Sequence, residues 1–205
     1  MAFSTILIVG LYIACELIAN VTASKPVQLP GDITVPAAVF IYALTFTLVD
    51  LINDRLGKAG ARYVVYTAFA ANVLLALYTA LAVALPAPGF YAGQEAFAAT
   101  LGSTPRIVLA SLTAYLVASL TDVQLFAWWR ERFGVERQRW LRVLVSNAVS
   151  TGVDSVVFIV IAFAGVLPVA PLIAGQYLVK MVVTLVSIPL IYTVRARSAA
   201  LGAAS

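Results

Sequence analysis

Apolar runs of membrane-spanning length alternate with short polar joints along the whole chain. Six runs stand out: Ala2 to Thr22, Val35 to Asn53, Arg62 to Leu85, Arg106 to Trp128, Leu141 to Val166 and Ala170 to Val194. Each is close to the roughly 20 residues that a helix needs to cross a hydrocarbon core of about 30 Å. Breakers mark the joints: Lys25-Pro26, Pro30-Gly31, Gly57 and Gly60, Pro86 with Pro88-Gly89, Gly134, and Pro168 with Pro171. Barrel strands would alternate over about ten residues, whereas these runs are long, unbroken and rich in Leu, Val and Ala. The pattern predicts an all-α integral membrane bundle of six transmembrane helices, forming one domain over residues 1–205. The longest connection, "PAPGFYAGQEAFAATLGSTP", has room for a short interfacial helix, and no soluble catalytic or nucleotide-binding domain fits in what remains.

Composition agrees. With 62% hydrophobic residues, 11% charged residues and a mean hydropathy of +1.00, the chain is too apolar for a soluble domain. A single Cys15 excludes an intramolecular disulfide, and the lack of His excludes a histidine-based metal or acid/base site. There is no Walker motif, nucleophile motif or metal-ligand cluster, so neither enzymatic activity nor a cofactor is expected. The first run lacks a preceding basic residue and contains Glu16 and Asn20, which favours a retained span over a cleaved leader.

Basic residues set the expected orientation. Arg55, Lys58, Arg62, Arg130, Arg132, Arg137, Arg139, Arg142, Arg195 and Arg197 lie on one side, against Lys25 and Arg106 on the other. Ten against two places both termini in the cytoplasm of a multi-pass inner or plasma membrane protein. The pI of about 9.4 is then a topology signal. The segment "WWRERFGVERQRW" mixes Arg and Trp, but a short loop beside the lipid headgroups explains it without nucleic acid. A homodimer is compatible with the sequence.

The informative residues are those that a bilayer should reject. Glu16, Asp122, Asp154 and Lys180 fall well inside spans, and Asp50 lies nearer the cytoplasmic end of the second. A central charge costs about 2.5 to 3.5 kcal/mol on insertion scales, so such groups normally face a bundle interior. Helical spacing groups them. Tyr12, Glu16 and Asn20 share a face, as do Phe46, Asp50 and Asp54, and Asn147, Ser150 and Asp154; span four offers Ser111, Tyr115 and Asp122, and span six Gln176, Lys180, Thr184 and Ser187. Five polar stripes predict a shared internal cavity. Packing is the better reading for Ser111, Ser150, Thr184 and Ser187, and for the small-residue stripe Ala110, Ala114 and Ala118. Arg62 and Arg106 read as snorkelling or topology residues, and Tyr63, Trp128 and Trp140 as interfacial anchors.

Asp154 and Lys180 lie 14 and 12 positions from the middle of the joint near residues 167–169, or about 20 Å along each helix at 1.5 Å per residue. That places them at similar depth, where they can pair. Four carboxylates against one ammonium disfavour an anionic ligand, and suit one that is cationic or rich in N–H donors, such as a guanine-type base edge. An organic cation or a proton relay fits the same count.

Several stretches together resemble the queuosine precursor transporter family, also described as vitamin uptake transporters: "ELIANVTASKPVQL", "IYALTFTLVDLINDRLGKAGAR", "QEAF" followed by "TPRIVLASLTAYLVASLTDV", "RWLRVLVSNAVSTGVDSVVFIVIAFAG" and "QYLVKMVVTLVSIPLIY". Their order and spacing cover most of the chain. The resemblance implies a six-helix inner-membrane importer of 7-deazaguanine precursors of queuosine. It carries a polar pattern onto Asn20, Asp50, Gly57, Arg62, Asp122, Arg142, Ser146, Asp154, Gln176 and Lys180. The chain departs from the family where Ala43, Phe46, Asp54 and Asn147 stand in place of Pro, Tyr, Glu and Thr.

The expected substrate-binding set is therefore Asn20, Phe46, Asp50, Asp122, Ser146, Asn147, Asp154, Gln176 and Lys180. In it Asp154 or Asp122 accepts from the base N1–H and 2-amino edge, Gln176 or Asn147 meets its carbonyl, and Phe46 stacks. The partners expected are a small 7-deazaguanine base and the lipid bilayer. The alternative is a substrate-binding component of an energy-coupling factor importer for a vitamin-like molecule, with the alanine stripe docking a partner helix.

Overall fold

The computed structural model describes residues 3–133 and 139–202, with side chains except at 43, 46, 50, 126–127, 130, 133, 139–144 and 186–202. In chain order the elements are α1 (Phe3–Thr22), β1 (Pro26–Leu29), β2 (Ile33–Pro36), α2 (Ala38–Ala84), α3 (Gln94–Leu101), α4 (Thr104–Phe133), α5 (Arg139–Phe163) and α6 (Val169–Gly202). Among the described residues, Phe3–Thr22, Leu51–Ala84, Gln94–Leu125 and Val145–Phe163 are long and apolar enough to cross a membrane. Ala38–Val49 and Val169–Leu185 are shorter apolar helices. Large apolar side chains such as Leu74, Leu77, Leu116 and Leu120 point outward, as suits a bundle whose solvent is hydrocarbon.

The second and third expected spans are one run of helix, α2, broken only at Gly57, where φ is 67° and ψ is 176°. Only glycine adopts that backbone without strain. The two halves run back along each other: Thr45 and Val49 from the first line one cavity with Val65, Phe69 and Asn72 from the second. Gly60, expected to share the break, is helical.

A short β ribbon occupies the joint before span two. Strands β1 and β2 pair antiparallel from Pro26 opposite Pro36 to Leu29 opposite Ile33, so Val35 belongs to a strand and not to a span. The turn between them holds Gly31 and Asp32 at positive φ, and Gln28 Nε2 donates to Asp32 Oδ1 at 3.0 Å. The ribbon lies on α6. Val35 is wholly buried, and Gly175 meets the Thr34 carbonyl so closely that no side chain fits between them. The short helix allowed for in the long connection is α3.

Two apolar clusters close the bundle at its ends. Near the ribbon, Ala23, Ile107, Ala110, Ile159, Phe163 and Leu172 pack together. Near the Gly57 turn, Tyr12, Ile52, Val64 and Ala68 do the same, and Arg55 donates to Ser4 Oγ at 2.6 Å. Arg106, read as a snorkelling or topology residue, donates to the carbonyls of Ile161 at 2.6 Å and Ala164 at 2.7 Å, satisfying the end of α5. Ala110 and Ala114 are buried inside the chain, which spends most of the alanine stripe on internal packing.

Candidate functional site

Between the two clusters lies the polar middle of the bundle. The α5–α6 hairpin brings Lys180 Nζ onto Asp154 Oδ2, so the pairing expected from equal distance to the joint is present. Their side chains are only 11% and 18% exposed. The Lys180 ammonium also stands over the Tyr42 ring, 4.8 Å from its centroid, a cation–π contact linking α2 to α6.

Three cavities meet here. A narrow one of about 40 Å³ faces the ribbon and is bordered by Asn20 and Gln176 as well as Glu16, Tyr42, Asp154 and Lys180. A second, of about 250 Å³, faces the Gly57 side and is bordered by Asp122, Asn147 and Ser150, again with Tyr42, Asp154 and Lys180. The third, of about 220 Å³, runs between α1, both halves of α2 and α4, past Glu16, Tyr42, Asn72 and Tyr115. Asp154 and Lys180 thus separate the first cavity from the second. Tyr42 borders all three.

The expected site residues distribute over this frame. Asn20, 5% exposed, edges the narrow cavity and donates through Nδ2 to Asn72 Oδ1 at 2.7 Å. Gln176, 3% exposed, borders the same cavity one turn from Lys180. Asp122 accepts from Ser146 Oγ, which holds that carboxylate between α4 and α5 beside the second cavity. Asn147 lines the second cavity directly. The side chains of Phe46, Asp50 and Arg142 lie outside the described residues. Ser111 borders two cavities and Ser150 one, and Ser150 and Thr184 donate to the carbonyls of Ser146 and Lys180 in their own helices at 2.8 and 2.9 Å.

Three residues join the site without having been in the expected set. Glu16 belonged to a recognised polar stripe and borders two cavities. Tyr42 belonged to none of the polar stripes read from helical spacing, and tertiary packing sets its position between the three cavities. Asn72 carried a legible signal, an amide alone in the apolar run "AANVLLALYT", and it bonds both Asn20 and the Ala68 carbonyl.

A helical membrane bundle that buries an ion pair, amides and carboxylates around interior cavities is built to hold a small polar solute within the bilayer. A family profile described as "Putative vitamin uptake transporter" matches residues 36–194, and the chain belongs to that family of membrane transporters. It is also similar to a protein of Bacillus subtilis (strain 168) named "Probable queuosine precursor transporter". The two are 29% identical over 180 residues, which cover 86% of this chain and 78% of the relative. No solved structure matches the chain.

Proposed function

We propose that this protein imports 7-deazaguanine precursors of queuosine across the cell membrane, with both termini in the cytoplasm. The observation that carries the reading is the Asp154–Lys180 pair at the boundary of two cavities, beside the Gln176 amide and the Tyr42 ring. A guanine-type edge offers two parallel N–H donors to a carboxylate, a carbonyl for an amide and a flat face for a ring. The similarity to the Bacillus subtilis relative supports the deazaguanine class over other organic solutes. Asp122, fixed by Ser146, is a second acceptor on the Gly57 side, where a solute leaving Asp154 for the cytoplasm would pass.

Alternating access would open the narrow cavity in one state and the wider one in the other, with the ion pair between them. Uptake of labelled nitrile precursor by cells expressing the protein should fall to background in Asp154→Asn and Lys180→Ala at normal membrane levels. Wild-type uptake in both variants would remove the pair from the transport path. The same assay with the purified chain in proteoliposomes addresses the energy-coupling reading, which requires a separate ATPase.

A further inference from the structure

Lys180 occupies the contacts that a flat, N–H-bearing solute needs. Its ammonium sits on the Asp154 carboxylate and over the Tyr42 face, and both groups border the cavities on either side. A solute binding there displaces the ammonium. Stranding a charge inside a bilayer is costly enough to cancel much of the solute's own binding. The cost falls if a second carboxylate is within reach.

Glu16 is placed to be that carboxylate. It borders the narrow cavity together with Asp154, Lys180 and Tyr42, and it lies within electrostatic reach of both members of the pair. Among the described residues it has no ion pair of its own. Lysine carries a compact charge on a flexible four-carbon stem, which suits it to exchanging one carboxylate for another within a shared cavity.

We propose that Glu16 is the second station of the Lys180 ammonium: an arriving base takes Asp154 and the Tyr42 face while the lysine swings to Glu16. Glu16 is then a positioning residue that acts through Lys180. Starting from an ionised Glu16, the charges balance: Asp154 exchanges an ammonium for neutral N–H donors while Glu16 gains the ammonium. This inference rests on the deazaguanine reading given above.

Equilibrium binding of the nitrile deazaguanine base to the purified full-length protein tests it through a double-mutant cycle. Glu16→Gln should weaken binding on the order of tenfold, equivalent to about 1.4 kcal/mol. Lys180→Met removes the competitor and should bind at least as tightly as wild type. Adding Glu16→Gln to Lys180→Met should then change nothing, and binding by this double variant also reports that it folds. An equal Glu16→Gln effect in both backgrounds would mean that Glu16 touches the base or acts structurally, and would overturn the exchange. So would unchanged binding in Glu16→Gln alone, weakened binding in Lys180→Met, or loss of binding only in the double variant. Failure of the wild-type protein to bind any deazaguanine is a separate result, which removes the substrate reading and the exchange with it.

Discussion

Gly175 of α6 packs against the carbonyl of Thr34 in β2 so closely that a β-carbon on the glycine would overlap the oxygen. The neighbouring residue, Gln176, borders the narrow cavity, so this contact couples the seat of the ribbon to the site. Gly175→Ala forces backbone apart and should destabilise the fold by about 1 to 3 kcal/mol, the usual range for overpacking. Thermal unfolding in detergent measures it, and an unchanged transition would show that the ribbon does not sit on α6.

At the Gly57 turn the reasoning differs, because nothing lies within 4 Å of a β-carbon added there. The constraint is backbone: φ of 67° with ψ of 176° is a conformation essentially reserved for glycine, with a cost of about 1 to 3 kcal/mol for other residues. Asparagine tolerates the left-handed helical region but not this ψ, so Gly57→Asn should lose as much stability as Gly57→Ala. Clear rescue by Asn in the same unfolding assay would contradict the turn geometry.

Arg106 satisfies two carbonyls at the end of α5. Arg106→Met should leave them without their charged donor and cost about 1 to 3 kcal/mol. Arg106→Lys keeps the charge but only one point of donation, and should fall between the two. A lysine variant no more stable than the methionine variant would indicate that the fork geometry matters more than the charge.

The Asn20–Asn72 hydrogen bond ties α1 to the second half of α2 beside two of the cavities. Interhelical hydrogen bonds in membranes average about 0.6 kcal/mol in double-mutant cycles, so the coupling between Asn20→Leu and Asn72→Leu should be modest. Uptake should drop further than stability, because leucine also replaces an amide at the cavity wall. Normal uptake in a stably folded Asn20→Leu variant would assign this pair to packing alone.

Much of this protein was legible in the sequence. The apolar runs announced the helices because crossing hydrocarbon demands about 20 apolar residues whatever the neighbours are. Asp154 and Lys180 could be matched in depth by counting from the Pro168 region, since rise per residue is constant along both helices. The ribbon was hidden. Its strands are four residues each and both carry prolines, so the local pattern showed only a joint, and only docking against Gly175 makes the pairing worthwhile.

By itself, the sequence determined which segments are helical membrane spans and which buried groups need an interior to face, because both follow from transfer of side chains out of water. Tertiary structure decided what those groups meet. It put the Tyr42 ring against Lys180, joined Asn20 to Asn72 across 52 residues of chain, and gave Arg106 the carbonyls at the end of α5. Such contacts depend on the rotation of each helix about its own axis. Packing between helices sets that rotation, and no periodicity within one helix encodes it.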